Sequence, residues 1–118
     1  MTKEIRPSYR HVTWNANYSF NVKADLGNEL SSSWHYHPEI ELNLIQWSAG
    51  TRIIGNCMES FSHNDVVLIG KNIPHAFLHD EKYIRQPSGQ TPKAVVIQFY
   101  EHFMGQEFLD LPELKGMQ

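Results

Sequence analysis

The chain has 118 residues, 41% of them apolar and 19% charged, and its 13 acidic against 10 basic side chains leave a formal net charge of −3 at pH 7. That length fits one domain, and that composition builds a modest globular core rather than a disordered chain. The acidic balance argues against a surface that grips a phosphate backbone unaided. No apolar run approaches the ~18–20 residues of a membrane helix, and the opening MTKEIRPSYR lacks the apolar stretch of a secretory signal. Cys57 is the single cysteine, so no intrachain disulfide forms and a reduced, cytoplasmic protein is expected.

Residues 1–17, with Pro7, Tyr9, Arg10 and Trp14, read as an N-terminal arm with at most one early strand. Beyond them the hydrophobic period is two, the period of strands. Ser19–Ala24 places Phe20, Val22 and Ala24 on one face. Ile40–Trp47 places Ile40, Leu42 and Leu44 on one face and Glu41, Asn43, Ile45 and Trp47 on the other. Short apolar runs follow at Thr51–Ile54, Met58–Phe61, Val66–Ile69 and Ala94–Phe99, parted by turn signals at Ala49-Gly50, Gly55-Asn56, Asn64-Asp65 and Gly70–Asn72. This pattern predicts an all-β fold over 18–101, a closed or nearly closed antiparallel barrel or sandwich. Asp80–Pro92 is polar and reads as a long surface loop. After Tyr100 the character changes. Phe103, Met104, Phe108 and Leu109, then Leu111–Leu114, predict a short helical tail over 102–118. A helix that short is marginal in water, so the natural protein is expected to continue.

Seven histidines are many for this length, and most lie between Trp34 and Asp80. His35, His37 and Glu41 have one parity, so a strand unbroken across Pro38 would put all three on one face. Two imidazoles and a carboxylate make a transition-metal site with open positions. Glu39 competes with Glu41 as the carboxylate. His75, opening a strand after Ile73-Pro74, can supply a fourth ligand across the interior, and His79 shares its parity. Asn43, Trp47, Arg52, Gln98 and Tyr100 fall at candidate interior positions, with Trp34, Tyr36 and Phe77 as stacking surfaces near the mouth. Apolar walls with a few polar groups suit a small organic ligand, a sugar among the candidates. Cys57 reads as a small packing or surface residue. No glycine-rich phosphate loop, G-x-S-x-G or CxxC occurs, and Ser31–Ser33 reads as a loop entering a strand.

The stretches WHYHPEIELNLIQWSAGTRIIGN and FSHNDVVLIGKNIPHAF resemble the cupin domain at the N-terminus of AraC-type bacterial transcription regulators. The resemblance covers Ser33 to Phe77, and the strand plan extends it to about Tyr100. His35, His37 and Glu41 match the first cupin motif, whose glycine falls at Ser48. In the second motif Asn64 and Asn72 stand at the glycine positions, Gly70 at the proline, His75 at the histidine and His79 at the final asparagine. Asparagine tolerates positive φ better than most residues, so these turns can survive.

The resemblance implies a single cupin (jelly-roll) barrel with a metal set of His35, His37, Glu41 and His75, taking a divalent transition metal such as Zn, Ni, Fe or Mn. Residues expected to bind ligand are Asn43, Trp47, Arg52, Phe77, His79, Gln98 and Tyr100. The implied function is the small-molecule effector-sensing and dimerisation domain of a homodimeric regulator. It would reach DNA only through a C-terminal helix-turn-helix domain outside this sequence, for which 102–118 would begin the linker. The effector would act by reordering the arm or a dimer surface. The alternative is a stand-alone metal-dependent cupin enzyme, a dioxygenase, isomerase or epimerase, with His79 or Tyr100 as acid or base. A third reading is a plain dimerisation domain that uses Leu42 and Leu44 on an outer face, with packing of these residues on a second sheet or on the tail helix as the equal alternative.

Overall fold

The structure is a computed structural model and describes residues 6–15, 17–26, 33–84, 91–103, 105 and 110–112. The elements are β1 (Ser8–Tyr9), β2 (Phe20–Leu26), β3 (His35–Tyr36), β4 (Ile40–Trp47), β5 (Gly50–Ile54), β6 (Cys57–Phe61), β7 (Val66–Ile69), β8 (His75–His79), α1 (Glu81–Ile84) and β9 (Lys93–Phe99). They form two sheets, in the orders β1-β3-β8-β5-β6 and β2-β9-β4-β7. Every pairing is antiparallel except β1 with β3. Together they make the expected small all-β sandwich, or flattened barrel.

The core lies between the sheets. Ile45, Ile69 and Ala94 come from one, Phe61 and Phe77 from the other, with Ile54, Val67 and Ile73 packed against them. The alternation in β4 sets this up. Glu41, Asn43 and Ile45 are buried toward the interior, while Leu42 and Leu44 face outward and stay half-buried. Full burial of a side chain such as Ile45 stabilises by about 1.5–3 kcal/mol.

The turns follow the residues that allow them. Gly55, first of the two residues joining β5 to β6, takes φ 59°. Asn64 and Asn72, the asparagines at the motif's glycine positions, take φ 69° and 57°. The Asn72 N–H donates to the His37 carbonyl at 2.7 Å and so pins the chain just before Pro38.

In three places the structure differs from the sequence-based expectation. The strand is broken at His37–Glu39, and β3 and β4 belong to different sheets. Proline has no N–H for a ladder and fixes its own φ, so the chain leaves one sheet there and enters the other. Residues 6–15 are anchored as well as arm-like. Ser8 donates to the Trp34 carbonyl and Arg10 to that of Tyr36, which seats β1 on β3. The loop after Asp80 opens with α1. Residues 85–90 of that loop lie outside the described residues, as do Ser31 and Ser32 and most of the expected helical tail, including Met104, Phe108, Leu109 and Leu114. At its start Phe103 donates to the Tyr100 carbonyl at 2.9 Å, closing a single turn. Among the described residues no helix is long and apolar enough to cross a membrane.

Candidate metal centre

Three strands deliver the site. His35 on β3 and His75 on β8 are direct cross-strand partners, with ring centroids 4.3 Å apart. His37 lies in the crossover after β3, its ring 5.0 Å from that of His75. Glu41 arrives from β4 in the opposite sheet. One ligand atom from each of His35, His37 and His75 lies within 4.8 Å of the others, and all three residues are buried. The convergence that a single strand face would have supplied is made instead by changing sheets at Pro38.

Backbone carbonyls fix which nitrogen of each ring faces inward. The Nδ1–H of His35 donates to the Ser33 carbonyl at 2.8 Å, that of His75 to Ile73 at 2.8 Å, and that of His37 to Glu39 at 3.1 Å. With Nδ1 so committed, each ring turns its Nε2 to the interior, and such outer-shell bonds orient metal-binding imidazoles. His75 Nε2 is buried with no hydrogen-bond partner. His37 Nε2 stands 3.2 Å, and His75 Nε2 3.8 Å, from Oε1 of Glu41. Lone pairs opposed at these distances need a proton or a cation among them. A soft-to-borderline divalent ion with nitrogen and oxygen ligands meets that need, so the donor set fits a metal.

The electrostatics suit the same role. Burial lowers the pKa of His35 to about 4 and also lowers that of His75, so both rings are neutral near pH 7. For Glu41 burial pushes upward, but the hydrogen bond with His37, the pull of His75 and His37 once acid protonates them and a bond from Asn43 outweigh it and bring the carboxyl down to about 2. Asn43 Nδ2 donates to Oε2 and Gln98 Nε2 to Oε1, each at 3.2 Å, which fixes the carboxylate in the interior. Gln98 is the cross-strand partner of Glu41 on β9, and Asn21, opposite Gln98 on β2, donates to its Oε1 at 3.0 Å.

The other expected ligand-binding residues stand elsewhere. Phe77 packs in the core against Phe61 at 5.4 Å. Trp47 stacks on His63 at 4.6 Å, beside Tyr83. Arg52 pairs with Glu59 at 2.7 Å. His79 Nδ1 shares a 2.6 Å hydrogen bond with the Ser48 hydroxyl. Tyr100 is exposed, packs on Trp14 at 5.0 Å and hydrogen-bonds Glu39. Of the mouth residues, Tyr36 packs on Tyr9 at 5.6 Å. Glu39 is buried, but on the Nδ1 side of His37, 3.4 Å from that atom, so it braces the ring while Glu41 faces the cluster. Cys57 is free and exposed. Asn21 went unnoticed in the sequence. Its signal was a polar side chain on the opposite face of β2 from Phe20 and Val22.

Two solved structures share this fold. A cupin 2 conserved barrel domain protein from Rhodopseudomonas palustris aligns with TM-score 0.54 and 13% identity over 75% of this chain and 57% of that one, so the chain spans little more than half of that protein. Another, from Salinispora arenicola CNS-205, aligns with TM-score 0.54 and 16% identity over 78% of this chain and 73% of that one. No protein-family model matches the chain, and no curated protein matches it significantly. The chain therefore shares the barrel fold of these cupin 2 domain proteins, and it carries three buried histidines able to hold a metal.

Proposed function

We propose that this chain is a metal-dependent cupin module that binds a small molecule at the open positions of a divalent transition metal. In our reading it serves as the effector-sensing domain of an AraC-type transcription regulator. The observation that carries the metal is the convergence of buried His35, His37 and His75, with ligand atoms within 4.8 Å of one another and each ring held by its own Nδ1–H bond to a backbone carbonyl, while Glu41 Oε1 stands beside Nε2 of His37 and His75. Four protein ligands leave positions for one or two oxygen atoms of a small acid or a sugar diol. The sensing role is supported by the likeness of Ser33–Phe77 to the regulator cupins. The same open positions favour a second reading, a metal-cupin enzyme.

Calorimetric titration of chelator-stripped protein with Zn, Ni, Mn or anaerobic Fe(II) tests the centre. One ion per chain is expected, with binding lost in His75→Ala and weakened at least ~10-fold in Glu41→Gln. No binding of any of these ions to the wild type would reject the proposal. Small acids and sugars are then added to the loaded protein under air. Reversible binding of unchanged ligand supports sensing, and turnover supports the enzyme.

A further inference from the structure

Among the described residues, His37 is the one member of the cluster with a carboxylate at its outer nitrogen. The Nδ1–H groups of His35 and His75 donate to the carbonyls of Ser33 and Ile73. That of His37 donates to the Glu39 carbonyl, and the carboxylate Oε1 of the same residue stands 3.4 Å from Nδ1. Pro38 makes this return possible, because its fixed φ bends the chain at 38–39 and brings Glu39 back to the ring. Glu39 is 3% exposed, and its Oε1 is buried without a hydrogen-bond partner. A carboxylate so placed costs free energy unless a positive charge answers it. Among the described residues the His37 ring is the one basic group within ion-pair distance. The second anchor is Tyr100, whose hydroxyl hydrogen-bonds Glu39 while its ring packs on Trp14.

We infer that Glu39 is a positioning residue for the metal centre, acting through His37, and that Tyr100 holds it in place. The inference rests on the metal reading proposed for the cluster. An imidazole whose Nε2 binds a divalent cation carries part of that charge, which makes its Nδ1–H a stronger donor. At His37 that charge arrives beside the buried carboxylate that lacks one. Glu39 therefore raises the affinity of the cluster for a cation without contacting it. The two acids of the Pro38–Glu41 stretch divide the work across one ring. Glu41 stands at Nε2 of His37 as a ligand, and Glu39 stands at Nδ1 as the counter-charge.

Calorimetric titration with Zn of chelator-stripped wild type, Glu39→Gln, Tyr100→Phe and the double variant tests this. Glutamine keeps the length and an accepting oxygen and removes the charge. The Kd should rise about tenfold in Glu39→Gln. It should rise about threefold in Tyr100→Phe, the cost of one hydrogen bond. The double variant should bind no more weakly than Glu39→Gln, because Tyr100 acts through Glu39. Tyr100 is 51% exposed and phenylalanine preserves its packing, so this variant should fold even where Glu39→Gln does not. Proton NMR of the Zn-loaded protein supplies a signature that a merely structural role would not move. The Nδ1–H of His37 should resonate downfield of those of His35 and His75, and Glu39→Gln should return it to their range. Wild-type affinity in both single variants, or a His37 proton no different from the other two, overturns the inference and leaves the metal reading standing. A wild type that binds no Zn, Ni, Mn or Fe(II) overturns both.

Discussion

His35 shows what the candidate centre costs the metal-free protein. Its pKa of about 4, against 6.5 in an unfolded chain, arises chiefly because burial penalises the imidazolium. Between those values the unfolded chain takes up a proton that the folded chain refuses. Stability therefore falls as pH drops from 6.5 toward 4, by on the order of 3 kcal/mol from this one group. His75 is shifted the same way. Glu41 contributes stability above 4.5 that is lost as pH falls toward about 2. All three slopes have one sign. The urea midpoint of chelator-treated protein should decrease steadily from pH 7.5 to pH 5, and a flat or rising midpoint would contradict neutral buried imidazoles. At this scale part of the site was legible. Spacing brought out His35, His37, Glu41 and His75 as candidates but left Glu39 in competition with Glu41, and the set of four came from the resemblance to cupins. Asn43 was legible from the parity of β4, and Gln98 as a polar group among apolar neighbours. Trp47 and Arg52 were not separable from these by parity. What parts them is distance along the strand from Glu41 and the side-chain partners His63 and Glu59, which periodicity does not report.

At the scale of elements, the strands were legible because one buried face imposes a period of two. Sheet membership was not. The break at Pro38 that sends β3 and β4 to different sheets depends on partners distant in sequence: His75 for β3, and Ile69 and Gln98 for β4. The two-residue β1 and the four-residue α1 are likewise too short to leave a periodic signal. The end of β4 is tied to β8 by two departures from the cupin motifs that meet each other. Ser48, at a motif glycine, is 0% exposed and shares its hydroxyl with His79, at the motif asparagine. Its N–H also donates to His63 Nδ1 at 3.0 Å, and the Tyr83 hydroxyl lies 3.2 Å from Nε2 of the same ring. Removing either partner leaves the other's polar atom without its bond in an enclosed position. Ser48→Ala and His79→Ala should each lower stability by about 1–2 kcal/mol, with the double variant falling short of the sum by about 1 kcal/mol. Urea unfolding of the four proteins measures this coupling, and simple additivity would show that the contact carries no energy.

Across the whole molecule the candidate centre is a bridge between sheets. His35 and His75 belong to one sheet and Glu41 to the other, with His37 in the connection between them. Among the described residues the buried core between the sheets gathers Ile45, Phe61, Ile69, Phe77 and Ala94. An ion bound to all four groups would clamp both sheets at one end of that core. Because the ligand geometry exists only in the folded chain, binding free energy adds to folding free energy. A free ion at a hundredfold over its Kd stabilises by about 2.7 kcal/mol, which for a domain of this size raises the melting temperature by roughly 10 °C. Thermal scans should show that rise for the loaded wild type and its reversal by a chelator. Glu41→Gln breaks the link to the second sheet and should lose most of the rise. Val22→Glu should keep it, since its side chain projects from the opposite face of that sheet. A rise equally large in Glu41→Gln would place the bound ion within one sheet and remove the bridging role.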